Sequence, residues 1–168
     1  ADQAVRAAEE EARRSRDEFE HIANAAPVMI WMSGPSMGAV WFNARPMTLQ
    51  LLLGRKVTLV AFINPTSINS IRTFPALKAW FDQYGLTQLM VVGVVTPDIE
   101  IQRDPLWVRA QLTRFGIDFP VLIDADRRLW KDYANEGWPA LHLVDRKGRV
   151  VFDRLGEGGY AETERELR

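Results

Sequence analysis

Residues Lys56 to Trp80 read KVTLVAFINPTSINSIRTFPALKAW, and the fold turns on this stretch. It opens on a short apolar run, Val57, Leu59, Val60, Ala61, Phe62 and Ile63, with the length and β-branched content of a buried strand. A polar loop follows, Asn64-Pro65-Thr66-Ser67, and then a helical pattern with Ile68, Ile71, Leu77, Trp80 and Phe81 on related faces. Strand, exposed loop and helix N-terminus, in that order, present backbone N–H groups and the positive end of a helix dipole to a reacting group.

Downstream, Leu89 to Val95 (LMVVGVV) is an apolar run typical of a buried parallel strand. Asp104 to Phe115 reads as a helix, with Pro105 in its first turn behind Asp104 as cap. Phe119 to Ile123 and Leu141 to Val144 are two more strands, and Asp145-Arg146-Lys147-Gly148-Arg149 turns the chain into Val150 to Phe152. Gly156 to Glu164 opens a terminal helix. The order is β–α–β–α–β–β–α, with parallel strands first and antiparallel strands after.

The central stretch resembles the active-site segment of thioredoxin-fold thiol–disulfide oxidoreductases, in particular the TlpA-like group and the thioredoxin-like domain of DipZ-type proteins. Their pattern is a buried strand followed by W-T-Y-S-C-I-N-C-[IL]-R-T-x-P. Ser67-Ile68-Asn69-Ser70-Ile71-Arg72-Thr73-Phe74-Pro75 keeps that frame, with serine at both cysteine positions. The resemblance runs from Trp41 to the C-terminus. Trp41 to Leu49 is similar to the family's W-L-N-x-x-P-L-T-L, Leu53 to Val57 to its L-R-G-K-V, and Gly156 to Glu164 to its G-E-G-D-Y-E-E-T-E. Thr96-Pro97-Asp98 matches the end of G-V-H-T-P-E, although the histidine position holds Val95. The resemblance implies an α/β thioredoxin fold, a central mixed sheet flanked by helices, over residues 41–168.

Residues 1–24 lack Gly and Pro, are rich in Ala, Glu and Arg, and carry Glu9–Arg13 and Glu10–Arg14 as i,i+4 pairs. They read as a helical linker with a thin apolar stripe (Val5, Ala8, Ala12, Phe19, Ile22), a candidate dimer contact without sustained heptads. Asp17 to Asn43 resembles the start of a PAS sensor domain, F-x-x-[IL]-A-x-x-A-P-V-M-I-W followed by a strand ending in W/Y-F-N. A whole PAS domain needs roughly a hundred residues, a typical domain size. Residues 25–40 therefore read as a hairpin extension, with strands Val28 to Met32 and Ala39 to Phe42 around a Gly34-Pro35 turn. A chain recombined from two families would show a poorly packed segment at 25–43.

The composition, 47% hydrophobic and 26% charged over 168 residues, is that of a soluble globular protein with room for one domain and an appendage. A net charge of −1 offers no general attraction to nucleic acid or anionic membrane. No apolar run approaches the roughly 20 residues of a membrane span, and the charged N-terminus lacks the apolar core of a signal peptide. The family resemblance favours an extracytoplasmic place and the PAS-like start a cytoplasmic signalling context, so the compartment stays open. With no cysteine in the chain, disulfides and thiolate metal sites are excluded, and nothing in the sequence calls for a cofactor or a metal.

Thiol–disulfide exchange needs two thiols one helical turn apart, the first at a helix N-terminus that lowers its pKa. Ser67 and Ser70 have that spacing, but a hydroxyl forms no disulfide, and a helix dipole supplies only about 1–2 kcal/mol toward ionising it. A serine hydrolase would need a base, and only His21 and His142 exist; both read as structural or surface residues, and Ser67 as a helix N-cap. Glu136, Asp124, Arg72 and Glu100 read as solvated surface. Trp138-Pro139 resembles the family's Y-W-P-A, which implies a cis proline facing the cysteine positions. Trp138 would then present main-chain groups beside Ser67, a ledge that pairs with an extended peptide. The candidate site is thus Ser67 and Ser70 at the family's catalytic positions, with Pro65, Thr66, Trp138 and Pro139 forming a groove for a protein or peptide partner.

Two readings remain open: a redox-inactive binding or sensing module, and an oxidoreductase in which serine replaces both catalytic cysteines. The flank Ile63-Asn64-Pro65-Thr66 differs from W-T-Y-S at all four positions, which favours natural loss.

Overall fold

The computed structural model describes residues 56–85 and 88–168, the main chain of 31–34 and 37–41, and residues 6 and 10. Strands β1 (Trp31–Gly34) and β2 (Met37–Trp41) pair antiparallel, Trp31 against Trp41 and Met32 against Val40. The expected hairpin is there with its strands drawn toward the turn, the first starting at Trp31 rather than Val28 and the second at Met37 rather than Ala39. Arg6 and Glu10 are helical and exposed; the rest of the 1–24 linker and most of the PAS-like stretch lie outside the described residues.

The main body is a five-stranded sheet. In chain order it comprises β3 (Val57–Ile63), α1 (Ile68–Tyr84), β4 (Leu89–Val95), a 3₁₀ turn (Glu100–Arg103), α2 (Pro105–Arg114), β5 (Val121–Ile123), α3 (Arg128–Asp132), β6 (Ala140–Val144), β7 (Val150–Leu155) and α4 (Tyr160–Leu167). The strands lie side by side as β5-β4-β3-β6-β7. β3 runs parallel to β4 and antiparallel to β6, and β4 runs parallel to β5. This is the α/β thioredoxin fold that the motif implies.

β3 is central, so both of its faces are covered, which is why it reads as an unbroken apolar run. Leu59, Ala61 and Ile63 join Phe74, Leu77 and Trp80 of α1, Val108 and Leu112 of α2 and Leu167 of α4 in the larger core. Val60 and Phe62 face the other way, into a smaller core closed by Leu129, Trp130, Tyr133 and Trp138. Each fully buried Leu or Phe contributes about 1.5–3 kcal/mol. Phe62 binds the smaller core together: its ring lies 6.0 Å from Trp130, 5.6 Å from Tyr133 and 5.6 Å from His142.

Two expectations change here. Ile68 does not share the buried face of α1; it is 58% exposed, because the buried arc runs through Ser70, Thr73, Phe74, Leu77 and Trp80. Asp124 is not solvated surface. It is buried, and its carboxylate accepts from the Thr96 hydroxyl (3.0 Å) and from the main-chain N–H groups of Leu129 (3.1 Å) and Trp130 (3.0 Å). Asp124 thereby ties the end of β5 to the start of α3, satisfying N–H groups that a helix start leaves without partners. Arg72, Glu100 and Glu136 are exposed as expected.

Candidate functional site

The register of the central strands puts the two loops that carry the candidate residues at one end of the sheet. Phe62 of β3 pairs with Ala140 of β6, antiparallel. The chain leaving β3 through Ile63 and Asn64 therefore runs beside the chain entering β6 through Trp138 and Pro139. Loop 64–67 and the Trp138–Pro139 segment share one end of the sheet. The Trp138–Pro139 peptide bond is cis.

Ser67 stands at the N-cap position of α1 with extended backbone (φ −88°, ψ 122°), and its carbonyl accepts from Ile71 N (3.0 Å). Its side chain, however, caps nothing. The sequence expectation of a side-chain cap is corrected: the turn here is organised by Asn64. Ser67 N–H donates to Asn64 O (3.0 Å), while Asn64 Oδ1 accepts from Thr66 N–H (2.9 Å) and from the Thr66 hydroxyl (2.7 Å). This side chain-to-main chain turn is the local geometry that asparagine favours.

Ser70 lies one turn further on and is fully buried. Its Oγ accepts from the main-chain N–H of Asn64 (3.0 Å), closing loop 64–67 back onto the helix. The two serines thus differ in character. Ser67 is half-buried at the rim, and Ser70 is a structural acceptor inside. Thr66 is exposed beside Ser67, while Pro65 and Pro139 are buried and Trp138 is half-buried.

On the β6 side, Pro139 O accepts from Gly156 N (2.8 Å), and Gly137 O accepts from the Asn135 side-chain amide (3.1 Å). Among the described residues, the main-chain N–H and C=O of Trp138, between them, take part in no hydrogen bond. The indole of Trp138 packs on Trp130 at 4.6 Å between ring centroids, and the Arg127 guanidinium lies over Trp130 at 4.9 Å. An exposed apolar side chain flanks the segment, Leu155 of β7, paired with Ala140 and set against Gly137, and Ile68 at the head of α1 is exposed as well.

His142 is no base for Ser67. It points into the smaller core, 4.9 Å from Tyr133 between ring centroids, on the sheet face away from α1. Burial lowers its pKa, partly offset by Asp153 on the paired strand. Burial, with Asp132 adding, pushes the Tyr133 hydroxyl up to about 12. Among the described residues no group of three or more His, Cys, Asp or Glu could hold a metal ion, and no helix is long and apolar enough to cross a membrane.

Sequence reasoning did not single out Gln102. It is buried, and its side-chain amide bridges to Asn64 and Thr66. The only trace in the sequence is a polar residue just beyond Ile99 and Ile101, with no indication of a partner 38 positions away.

No family model matches the chain. The protein DipZ of Mycobacterium tuberculosis is 34% identical over 131 residues, which cover 76% of this chain and 19% of DipZ. The chain thus spans about a fifth of that relative's length. The thiol-disulfide oxidoreductase YkuV of Bacillus subtilis is 28% identical over 127 residues, covering 76% of this chain and 84% of YkuV. Among solved structures, a thiol-disulfide isomerase from Corynebacterium glutamicum superposes with a TM-score of 0.65 at 22% identity, over 82% of this chain and 87% of the other, a likeness of fold.

Proposed function

We propose that the chain is a member of the thioredoxin-like thiol–disulfide oxidoreductase family and serves there as a redox-inactive module that binds an extended protein or peptide segment. The absence of cysteine removes the only side chain able to exchange disulfides, so the family's chemistry cannot run on these residues. The single observation that carries the binding reading is the main chain of Trp138, unpaired among the described residues. A main-chain donor and acceptor side by side, without partners among the described residues, offer the strand-like pairing by which extended peptides are held. Thr66 and Ser67 form the opposite lip of the groove, and Ile68 and Leu155 offer apolar contact to alternate side chains of the bound segment.

The second reading is an oxidoreductase with serine in place of both catalytic cysteines. It is favoured by the position of Ser67 at the start of α1 and of Ser70 one turn on. The double variant Ser67→Cys with Ser70→Cys separates the two. On the binding reading, the loop built around Asn64 no longer supports catalysis, and the paired thiols exchange with glutathione no faster than free cysteine. Rapid, reversible disulfide formation and reduction of a model disulfide would favour the oxidoreductase.

A further inference from the structure

Gln102 is wholly buried although Ile101 beside it on the 3₁₀ turn and Ile99 just before the turn are exposed. Its Nε2 donates to Asn64 Oδ1 (3.0 Å) and to Thr66 Oγ1 (3.0 Å), and its Oε1 accepts from Asp98 N–H (3.0 Å). Asn64 completes the circuit, its Nδ2 donating to Asp98 Oδ1 (3.2 Å). Chemistry fixes both amide orientations. A main-chain N–H can only donate, so Asp98 N–H meets Gln102 Oε1; a carboxylate can only accept, so it meets Asn64 Nδ2. An apolar side chain would fill the same space without needing three partners. All three partners lie in two loops, the one that follows β3 and the one that follows its parallel neighbour β4.

We propose that Gln102 is a positioning residue that latches loop 64–67 to segment 98–102 and holds the lip of the peptide groove in its binding shape before a ligand arrives. The purpose of the latch rests on the peptide-binding reading above, whereas its effect on the loop does not. A loop already ordered loses less freedom on binding, and affinity rises through that pre-organisation.

The test uses the full chain and two variants. Gln102→Met keeps the length of the side chain and removes all three hydrogen bonds. Thr66→Val removes one hydroxyl at an exposed position and keeps the test decisive if Gln102→Met fails to fold. Amide hydrogen exchange reports the loop, and titration with a capped peptide of alternating valine and threonine reports the groove. In Gln102→Met, exchange at Thr66 and Asp98 speeds up by about tenfold while β4 keeps its protection. The peptide's dissociation constant rises about fivefold, a change that a role confined to core packing would not produce. Thr66→Val moves both readouts the same way by smaller factors. Unchanged loop exchange in the variants overturns the latch, whatever the peptide does. Faster exchange with unchanged peptide affinity overturns the positioning role. If the unmodified chain does not bind the peptide, the peptide-binding reading falls, and the exchange data alone judge the latch.

Discussion

Replacing the two serines one at a time should give opposite results, although both sit in the same helical turn. Ser70 is fully buried, and its Oγ is the acceptor for the Asn64 main-chain N–H, itself buried. Ser70→Ala strands that donor away from water, at a cost of about 1–3 kcal/mol. Alanine's better helix propensity returns about 0.5 kcal/mol. The net loss is about 1–2 kcal/mol, which for a domain of this size lowers Tm by roughly 2–8 °C. Ser67 stands at the N-cap, where removing a capping side chain ordinarily costs about 1 kcal/mol. Its side chain caps nothing, so Ser67→Ala should stay within about 0.5 kcal/mol of the parent. Urea unfolding of the three proteins, with amide exchange at Asn64, checks both. If Ser70→Ala is as stable as the parent, or Ser67→Ala is as costly as Ser70→Ala, the account of the loop is refuted.

Other perturbations probe the scaffold. Asp124→Ala removes the acceptor for Thr96, Leu129 and Trp130 and should cost about 2 kcal/mol or more, with a change in tryptophan fluorescence as α3 loosens around Trp130. Gly93→Ala would set a methyl 3.0 Å from Val121 Cγ2 and 3.2 Å from both Ile63 Cδ1 and Phe119 Cε2, so overpacking of about 1–3 kcal/mol is expected in chemical denaturation. His142 is held below the ordinary imidazole range by burial, so below about pH 6.5 the unfolded chain takes up a proton that the folded chain resists. Its contribution is therefore present above pH 6.5 and lost as the pH falls through its folded pKa. NMR titration of the imidazole should give a pKa below the ordinary value, and His142→Phe should remove this part of the acid-side loss.

Elements with long, regular periodicity were legible in the sequence, and those defined by pairing or by a single polar side chain were not. Leu89 to Val95 is a strand as read, and Asp104 caps α2 through Leu106 N–H (2.9 Å) as its spacing with Pro105 implies. β5 is shorter than Phe119 to Ile123 because Pro120 has no N–H to give the ladder; its carbonyl accepts from Gly93 N–H instead (2.8 Å). β7 runs on to Leu155, past charged residues that break the apolar run. Its pairing with β6 continues to Ala140, and Arg154 finds Glu162 (2.8 Å). The five-residue α3 leaves only Trp130 on a helical pattern, too short a piece to stand out as an element, and Asp124, which organises its start, resembles any surface carboxylate. In the site, the motif pointed to Ser67, Ser70 and the Trp138–Pro139 segment. Loop geometry was hidden, because Gln102 reaches it across 36 to 38 residues of sequence.

The central claim is that the lip at Thr66 and Ser67 and the main chain of Trp138 form a peptide-binding groove without redox chemistry. The most direct measurement is an NMR titration of the ¹⁵N-labelled chain with the capped valine–threonine peptide. The account predicts saturable shifts at the amides of Thr66, Ser67, Gly137, Trp138 and Ala140, with Trp138 N–H moving as a newly formed hydrogen bond requires. Saturable shifts confined to another surface, such as the exposed edge of β7, or no saturable shift at Trp138, would contradict it.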